Sequence, residues 1–262
     1  MIGVVLTISD LHPSVDPLTG AVHDDSFGFG LTAADGCALE TALRLAEATS
    51  TPLEVVAIAP DAAGNVLGEV AAFGVATTRI EVSALVVDER ALAAQVAGLL
   101  AGATLVLTGW TDTGALPAFL AHELGAAQGL GLLTLEARAE RLVGVRRLDG
   151  GWREELDLPT PSVCSMEGGS LRLRRAPLSG ALSPSPVRVI PGPAEPTGVG
   201  SPRPFRPSAR PLPAPAGSPH ERLLALTGAM EEHEPPVAMG PLPPVEGAGE
   251  LLGFLARQGY LS

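Results

Sequence analysis

Apolar runs of strand length alternate with apolar positions at helical spacing through the first half of the chain. Gly3 to Ile8 reads as a buried strand, and Asp16 to Val22 as a hairpin with Gly20 at its tip. Within Leu31 to Ser50, residues Leu39, Ala42, Leu43, Leu45 and Ala46 share one face of a helix. Leu53 to Ala59 is a second strand, Asn65 to Phe73 a helix ended by Gly74, and Arg79 to Val82 a short strand. Glu89 to Leu100 is a helix that feeds a strand at Thr104 to Leu107. This alternation predicts an α/β fold with a mainly parallel sheet and helices on both faces.

After Gln128 the spacing shortens. Leu132 to Arg138, Arg141 to Leu148 and Trp152 to Leu158 read as added antiparallel strands, with Asp149-Gly150-Gly151 as a hairpin signal, and Ser162 to Met166 as one more buried strand. From Ser183 to His220 the composition changes, since about half of the chain's 25 prolines fall there. That predicts an extended tether. Beyond it lie a short amphipathic segment, Glu221 to Gly228, and a helix from Glu250 to Leu261. The stripe formed by Leu251, Leu252, Phe254 and Leu255 needs a surface to dock on. The expected organisation is a nucleotide-binding α/β domain over residues 1–182, a Pro-rich arm over 183–220, and a partner-docking segment over 221–262.

The richest chemistry is in Ala103 to Gln128, where an apolar strand empties into Thr108-Gly109-Trp110-Thr111-Asp112-Thr113-Gly114 and Leu116, Phe119, Leu120 and Leu124 begin a helix. A helix N-terminus at the carboxyl edge of a sheet offers free amides and a positive dipole end to a phosphate. The same residues also serve as an ordinary helix cap, with Thr111 or Asp112 as the capping side chain. Trp110 either stacks on a base or packs over its own helix. His122-Glu123 lacks an HExxH pattern and reads as a solvated helix face. Asp24-Asp25 reads as a solvated turn, and the spacing of Pro204 and Pro207 follows from composition.

Charge narrows the classes. The chain has 29 acidic against 17 basic residues, a formal net charge of −12, and every basic residue is Arg. A Schiff-base or P-loop lysine is thereby excluded, and nucleic acid and anionic membrane are poor partners. Cys37 and Cys164 read as core fillers without a disulfide framework. No stretch is long and apolar enough for membrane insertion, and the apolar start at Met1 to Leu6 reads as a strand, so a cytoplasmic protein is expected.

Several blocks, in order, resemble the β subunit of electron transfer flavoproteins. Ala38-Leu39-Glu40-Thr41-Ala42-Leu43-Arg44-Leu45 is similar to that family's early helix, and Glu54 to Ala59 with Ala72 to Ala76 to its second strand and the segment after it. Leu105 to Gly114 with Ala121 to Gly125, and Val145 to Leu158 with Pro161 to Ser165, resemble its later blocks. The resemblance covers roughly the first 180 residues. It implies a Rossmann-like domain that buries a structural AMP, an arm that embraces an α subunit, and an FAD held mostly by that subunit. It also implies a carrier without catalysis of its own, taking electrons from a dehydrogenase towards a quinone-linked acceptor. Carried over by position, the AMP site would use Thr7, Thr32, Ala59, Thr108, Gly109, Asp112, Thr113 and Gly114, and Leu178 would meet the dehydrogenase.

The chain departs from the family pattern at four places. Its loop after Gly109 is shorter, Ala115 replaces a Gln, and Ala34 stands where an aromatic neighbours the flavin. Of the family's dehydrogenase-docking loop, Leu173 to Pro186 keeps little beyond Leu178 and an Arg. These departures point to a specialised client, as in the actinobacterial branch associated with the mycofactocin redox peptide. Two other classes fit the residues: a free-standing adenine-nucleotide-binding protein or ATP-cleaving enzyme, and a structural subunit that has lost AMP.

Overall fold

Nine strands form one sheet. In chain order they are β1 (Ile2–Thr7), β2 (Leu53–Ala59), β3 (Ala76–Glu81), β4 (Leu105–Gly109), β5 (Ala127–Arg138), β6 (Arg141–Arg147), β7 (Arg153–Leu158), β8 (Ser162–Met166) and β9 (Val187–Pro191). They lie side by side as β7-β6-β5-β8-β4-β1-β2-β3-β9. From β5 to β9 all neighbours run parallel, and β6 is antiparallel to both β5 and β7. The computed structural model describes residues 1–16, 18–19, 22–23, 28–82, 88–111, 114–138, 141–193, 217–227, 240–257 and 260–261. The chain divides into two units, Met1–Pro204 and Phe205–Ser262.

Helices α1 (Ala33–Thr49), α2 (Gly64–Ala71), α3 (Glu89–Leu99) and α4 (Ala115–Leu124) make the crossovers. Side-chain alternation along the strands sorts them into two layers. Val4, Leu6 and Leu107 pack with Leu39, Ala42 and Leu43 of α1, while Val5, Val106 and Ile80 pack with Leu92 and Val96 of α3 and Leu120 of α4. Ala57 and Ala59 face Val66 and Leu67 of α2, on the α1 side. Apolar burial at roughly 25 cal/mol per Å² is what holds these layers together. Because α1 and α2 cover one face and α3 and α4 the other, the connections diverge at the boundary between β1 and β4.

Three expectations change. Strand β4 runs to Gly109, so Thr108 and Gly109 close the strand and do not begin the loop. Strand β5 starts at Ala127, where pairing with β8 carries it through two glycines, with a register shift opposite Cys164 to Met166. The Pro-rich stretch beginning at Ser183 is not all tether, because Val187–Pro191 pairs with β3 as the outermost strand of the sheet. A proline at the end of an edge strand removes no needed hydrogen bond. The early hairpin pairs Ser14–Val15 with Val22–His23; its tip at Gly20, like Asp24-Asp25, lies outside the described residues. Cys37 and Cys164 are buried and free, and burial pushes the Cys164 thiol up to about 12.

The second unit contains α6 (Pro219–Leu226) and α7 (Pro244–Arg257), the latter starting six residues before the predicted helix. Leu251, Leu252 and Phe254 are exposed on α7 and Leu255 is half-buried. Among the described residues, no helix is long and apolar enough to cross a membrane.

Candidate functional site

Parallel register aligns the carboxyl ends of the central strands, with Thr7 beside Ile58 and Val5 beside Thr108. In doubly wound sheets the ligand crevice lies where the connections diverge, which here is between β1 and β4. Thr7 stands at its edge, half-buried, while Ala59, Thr108 and Gly109 are buried. The Thr108 hydroxyl donates back to the Gly109 carbonyl at 3.1 Å, so it is turned into the strand end.

Thr32 caps α1. Its Oγ1 accepts from the Asp35 N–H at 3.0 Å and donates to Asp35 Oδ2 at 2.6 Å. Asp35 was not among the predicted site residues, yet it is the buried carboxyl of the crevice, 4% exposed, with Oδ1 accepting from the Thr7 N–H at 3.4 Å. Burial pushes its pKa up, against the hydrogen bonds from Thr32, Thr7 and Gly109 that favour the charged form. Its position explains Gly109. A Cβ at 109 would stand 2.6 Å from Asp35 Oδ1 and 2.7 Å from the Asp35 nitrogen, so the demand for glycine comes from α1.

The start of α4 is different. Gly114 adopts φ +59°, ψ 8°, its N–H donates to the carbonyl and hydroxyl of Thr111, and its own position provides no side chain to cap the helix. Helix α3, by comparison, is closed by Asp88, which accepts from Arg90 and Ala91. Among the described residues, a Cβ at 114 would meet nothing within 4 Å. The amides of Ala115 and Leu116 therefore head a helix whose N-cap residue cannot satisfy them. Asp112 and Thr113 lie outside the described residues.

Trp110 follows β4 but reaches sideways. Its N–H donates to Met166, and its ring lies over Gly131 of β5, 3.3 Å from where a Cβ would be, leaving it 46% exposed. It packs on β5, which lies one strand beyond β8 in the sheet. His122 and Glu123 are exposed on α4, and among the described residues no group of three or more His, Cys, Asp or Glu could hold a metal.

Two cavities flank the sheet ends. One of about 560 Å³ adjoins the start of α1, lined by Leu11, Phe29, Leu31, Thr32, Leu171 and Leu173 among others. The other, about 520 Å³, opens at the opposite, amino edge near Ile2 and Thr104. There Thr49 and Thr104 hydrogen-bond to backbone carbonyls and Arg141 pairs with Asp157, so its polar groups are engaged within the protein.

The segment after β8 is clamped to α1. Glu40, 1% exposed, accepts from the Arg174 N–H at 3.1 Å, from Arg174 Nε at 3.0 Å and from Arg44 Nε at 2.7 Å, while Arg174 Nη1 reaches Glu47 at 2.6 Å. Burial alone would raise the Glu40 pKa, but these cationic donors outweigh it and hold it below the ordinary value. Beyond the clamp, α5 (Leu178–Leu182) is pressed by Gly180 against the Ala72 carbonyl at the end of α2. Leu178 and Leu182, one turn apart, are 75% and 79% exposed. Neither the clamp nor Leu182 was anticipated, although the spacing of the two leucines was visible.

A comparison with curated proteins finds no match. The family model for the electron transfer flavoprotein domain matches residues 19–189, which take in α1, β4, the clamp and α5 but not β1 with Thr7. With that match spanning well over half of its length, the chain belongs to the electron transfer flavoprotein domain family, whose members are electron carriers rather than enzymes.

Proposed function

We propose that this chain is the β-type subunit of a heterodimeric electron transfer flavoprotein. It binds AMP at the β1–β4 crevice and helps enclose an FAD held mostly by an α subunit. The observation that carries the nucleotide reading is the start of α4, which meets the carboxyl edge of β4 through an αL glycine and has no capping side chain on its N-cap residue. A phosphate placed there would take the Ala115 and Leu116 amides and the positive end of the helix. The space around Gly114, open among the described residues, favours the fit.

The FAD supplies the redox chemistry when bound. What this chain contributes is shape: the apolar cavity beside the start of α1, with Phe29, Leu31 and Leu171 on its wall, suits a planar ring brought by a partner. Ala34, where the resemblance implies an aromatic, is a buried alanine in the first turn of α1. Leu178 and Leu182 offer an apolar pair to the electron-donating dehydrogenase. The stripe on α7 serves the α subunit.

Extraction of the purified complex under denaturing conditions, followed by chromatography, tests the nucleotide site. AMP should be recovered near one equivalent from wild type and lost from Asp112→Ala/Gly114→Val. Unchanged AMP in the double variant moves the site elsewhere. A subunit that has lost AMP is the second reading, favoured by Ala115, which brings no polar side chain to the first turn of α4; absence of nucleotide from wild type would establish it.

A further inference from the structure

The chain has two tryptophans, and both are exposed, Trp110 by 46% and Trp152 by 74%. Tryptophan is on average a well-buried residue, so two indoles in water ask for a cover. Both border the carboxyl end of β8. The Trp110 N–H donates to the Met166 carbonyl at 2.9 Å, and the next residue, Glu167, pairs with Arg147 at 3.4 Å. Arg147 leads into the tip of the β6–β7 hairpin, where the Leu148 N–H donates to the Trp152 carbonyl at 2.8 Å and Leu148 is itself 41% exposed. These three side chains leave on the order of 300 Å² of apolar surface in water, the size at which a patch on a monomer is often functional. The charges around it cancel. Arg146 pairs with Glu154 and Arg147 with Glu167, while Asp149 and Arg153 add one charge of each sign. An aromatic centre inside a rim of balanced charge has the anatomy of a protein interface.

We propose that Trp110, Leu148 and Trp152 form a docking patch for the flavin-bearing α subunit, an inference that rests on the β-type reading above. Continuity with the flavin cavity decides the occupant. Two residues beyond Glu167, Gly169 lines the cavity of about 560 Å³ beside the start of α1, and Gly168 between them is pressed on that helix, its Cβ position 3.0 Å from Ala33 Cβ and from the Ala34 nitrogen. Patch and cavity are neighbouring parts of one edge. The cavity is also walled by Val66 and Glu69 of α2, and the end of α2 is where Gly180 seats α5. It therefore lies between the tryptophans and the leucine pair, so a subunit delivering a ring to the cavity from the tryptophan side leaves Leu178 and Leu182 open to the dehydrogenase. Because the charges of the patch sum to zero, the α-subunit surface that fits it is apolar and uncharged at its centre, with the indoles as anchors.

The test uses the full-length chain labelled with 5-fluorotryptophan, whose two fluorine resonances are assigned with Trp110→Phe and Trp152→Phe, and titrates it with an unlabelled electron transfer flavoprotein α subunit. Both resonances should move and lose their H2O-to-D2O solvent shift in the complex. Leu148→Ala/Trp152→Ala should keep the wild-type Tm, since both side chains are exposed, and bind the α subunit at least tenfold more weakly by sedimentation. Trp152→Phe, which keeps an aromatic anchor, should retain most of the affinity. A complex that forms while both resonances stay in place, or a double variant that binds like wild type, overturns the docking patch and leaves the β-type reading standing. Resonances that move with the chain's own concentration, without α subunit, give the patch to a second copy and overturn the proposal as well. Failure to form any complex overturns both the patch and the β-type reading.

Discussion

Removing the Arg174 side chain strands a buried charge. In Arg174→Ala, Glu40 keeps only Arg44 at 2.7 Å and the backbone N–H at residue 174, having lost the guanidinium that covered it. Breaking a buried ion pair costs about 3–5 kcal/mol when both partners are enclosed. Arg174 is 36% exposed and Arg44 stays in place, so the expected loss is smaller, about 2–3 kcal/mol. For a unit of this size that lowers Tm by about 4–12 °C. Replacing both partners by apolar residues of similar volume, Glu40→Leu/Arg174→Met, should come within about 1 kcal/mol of wild type, since no buried charge is left without a partner and Arg44 and Glu47, which lose theirs, are solvent-exposed. The pH dependence has a definite sign. Glu40 is held below the ordinary glutamate value of 4.5, so its contribution is present above that pH and fades as pH falls through the lower folded value. The penalty of Arg174→Ala should therefore be full at pH 7 and shrink below pH 4.5. Differential scanning calorimetry of the single and double variants across this range reads all of it. A single variant within 2 °C of wild type, or a double variant less stable than the single, would refute the reasoning.

The remaining predictions concern the crevice, the docking surfaces and the tail. Gly109→Ala should destabilise by about 1–3 kcal/mol through the clash with Asp35, and Asp35→Ala in the same chain should recover part of that in urea titrations. Leu178→Ala/Leu182→Ala should leave Tm unchanged because both side chains are exposed, yet weaken capture of the client dehydrogenase at least tenfold in surface binding, about 1.4 kcal/mol or more. Truncation before Glu221 should keep a folded sheet by circular dichroism and bind the α subunit much more weakly. Unfolding of the truncated chain together with normal partner binding wherever it does fold would assign α7 to the core instead.

The central strands were legible because they are short, continuous apolar runs; Leu53–Ala59 and Ser162–Met166 were read to the residue. Strand β5 was read five residues short, since Gln128, Gly129 and Gly131 break the apolar pattern and only pairing with β8 makes them strand. Strand β9 was hidden by its prolines, which suggest a tether until the edge of β3 is seen to need a partner. Local periodicity carries no information about that need.

The crevice was legible as a place and not in its detail. Thr32 and Asp35 have the spacing of a helix cap, and nothing in that spacing says the aspartate is buried against Gly109. Glu40 and Arg44, four apart on a helix, look like a solvated pair. The second partner of Glu40, Arg174, is 134 residues away in sequence, so its contribution appears only once β8 returns the chain to α1. At Gly109 the close approach that requires glycine is made by α1, a contact that no local pattern of residues shows.

The most direct measurement is the colour and content of the chain expressed alone and with an electron transfer flavoprotein α subunit. The chain alone should be colourless, and coexpression should give a yellow 1:1 complex that releases one FAD and one AMP on denaturation. A stoichiometric flavin in the isolated chain, or a failure to form any complex with the α subunit, would contradict the β-type assignment.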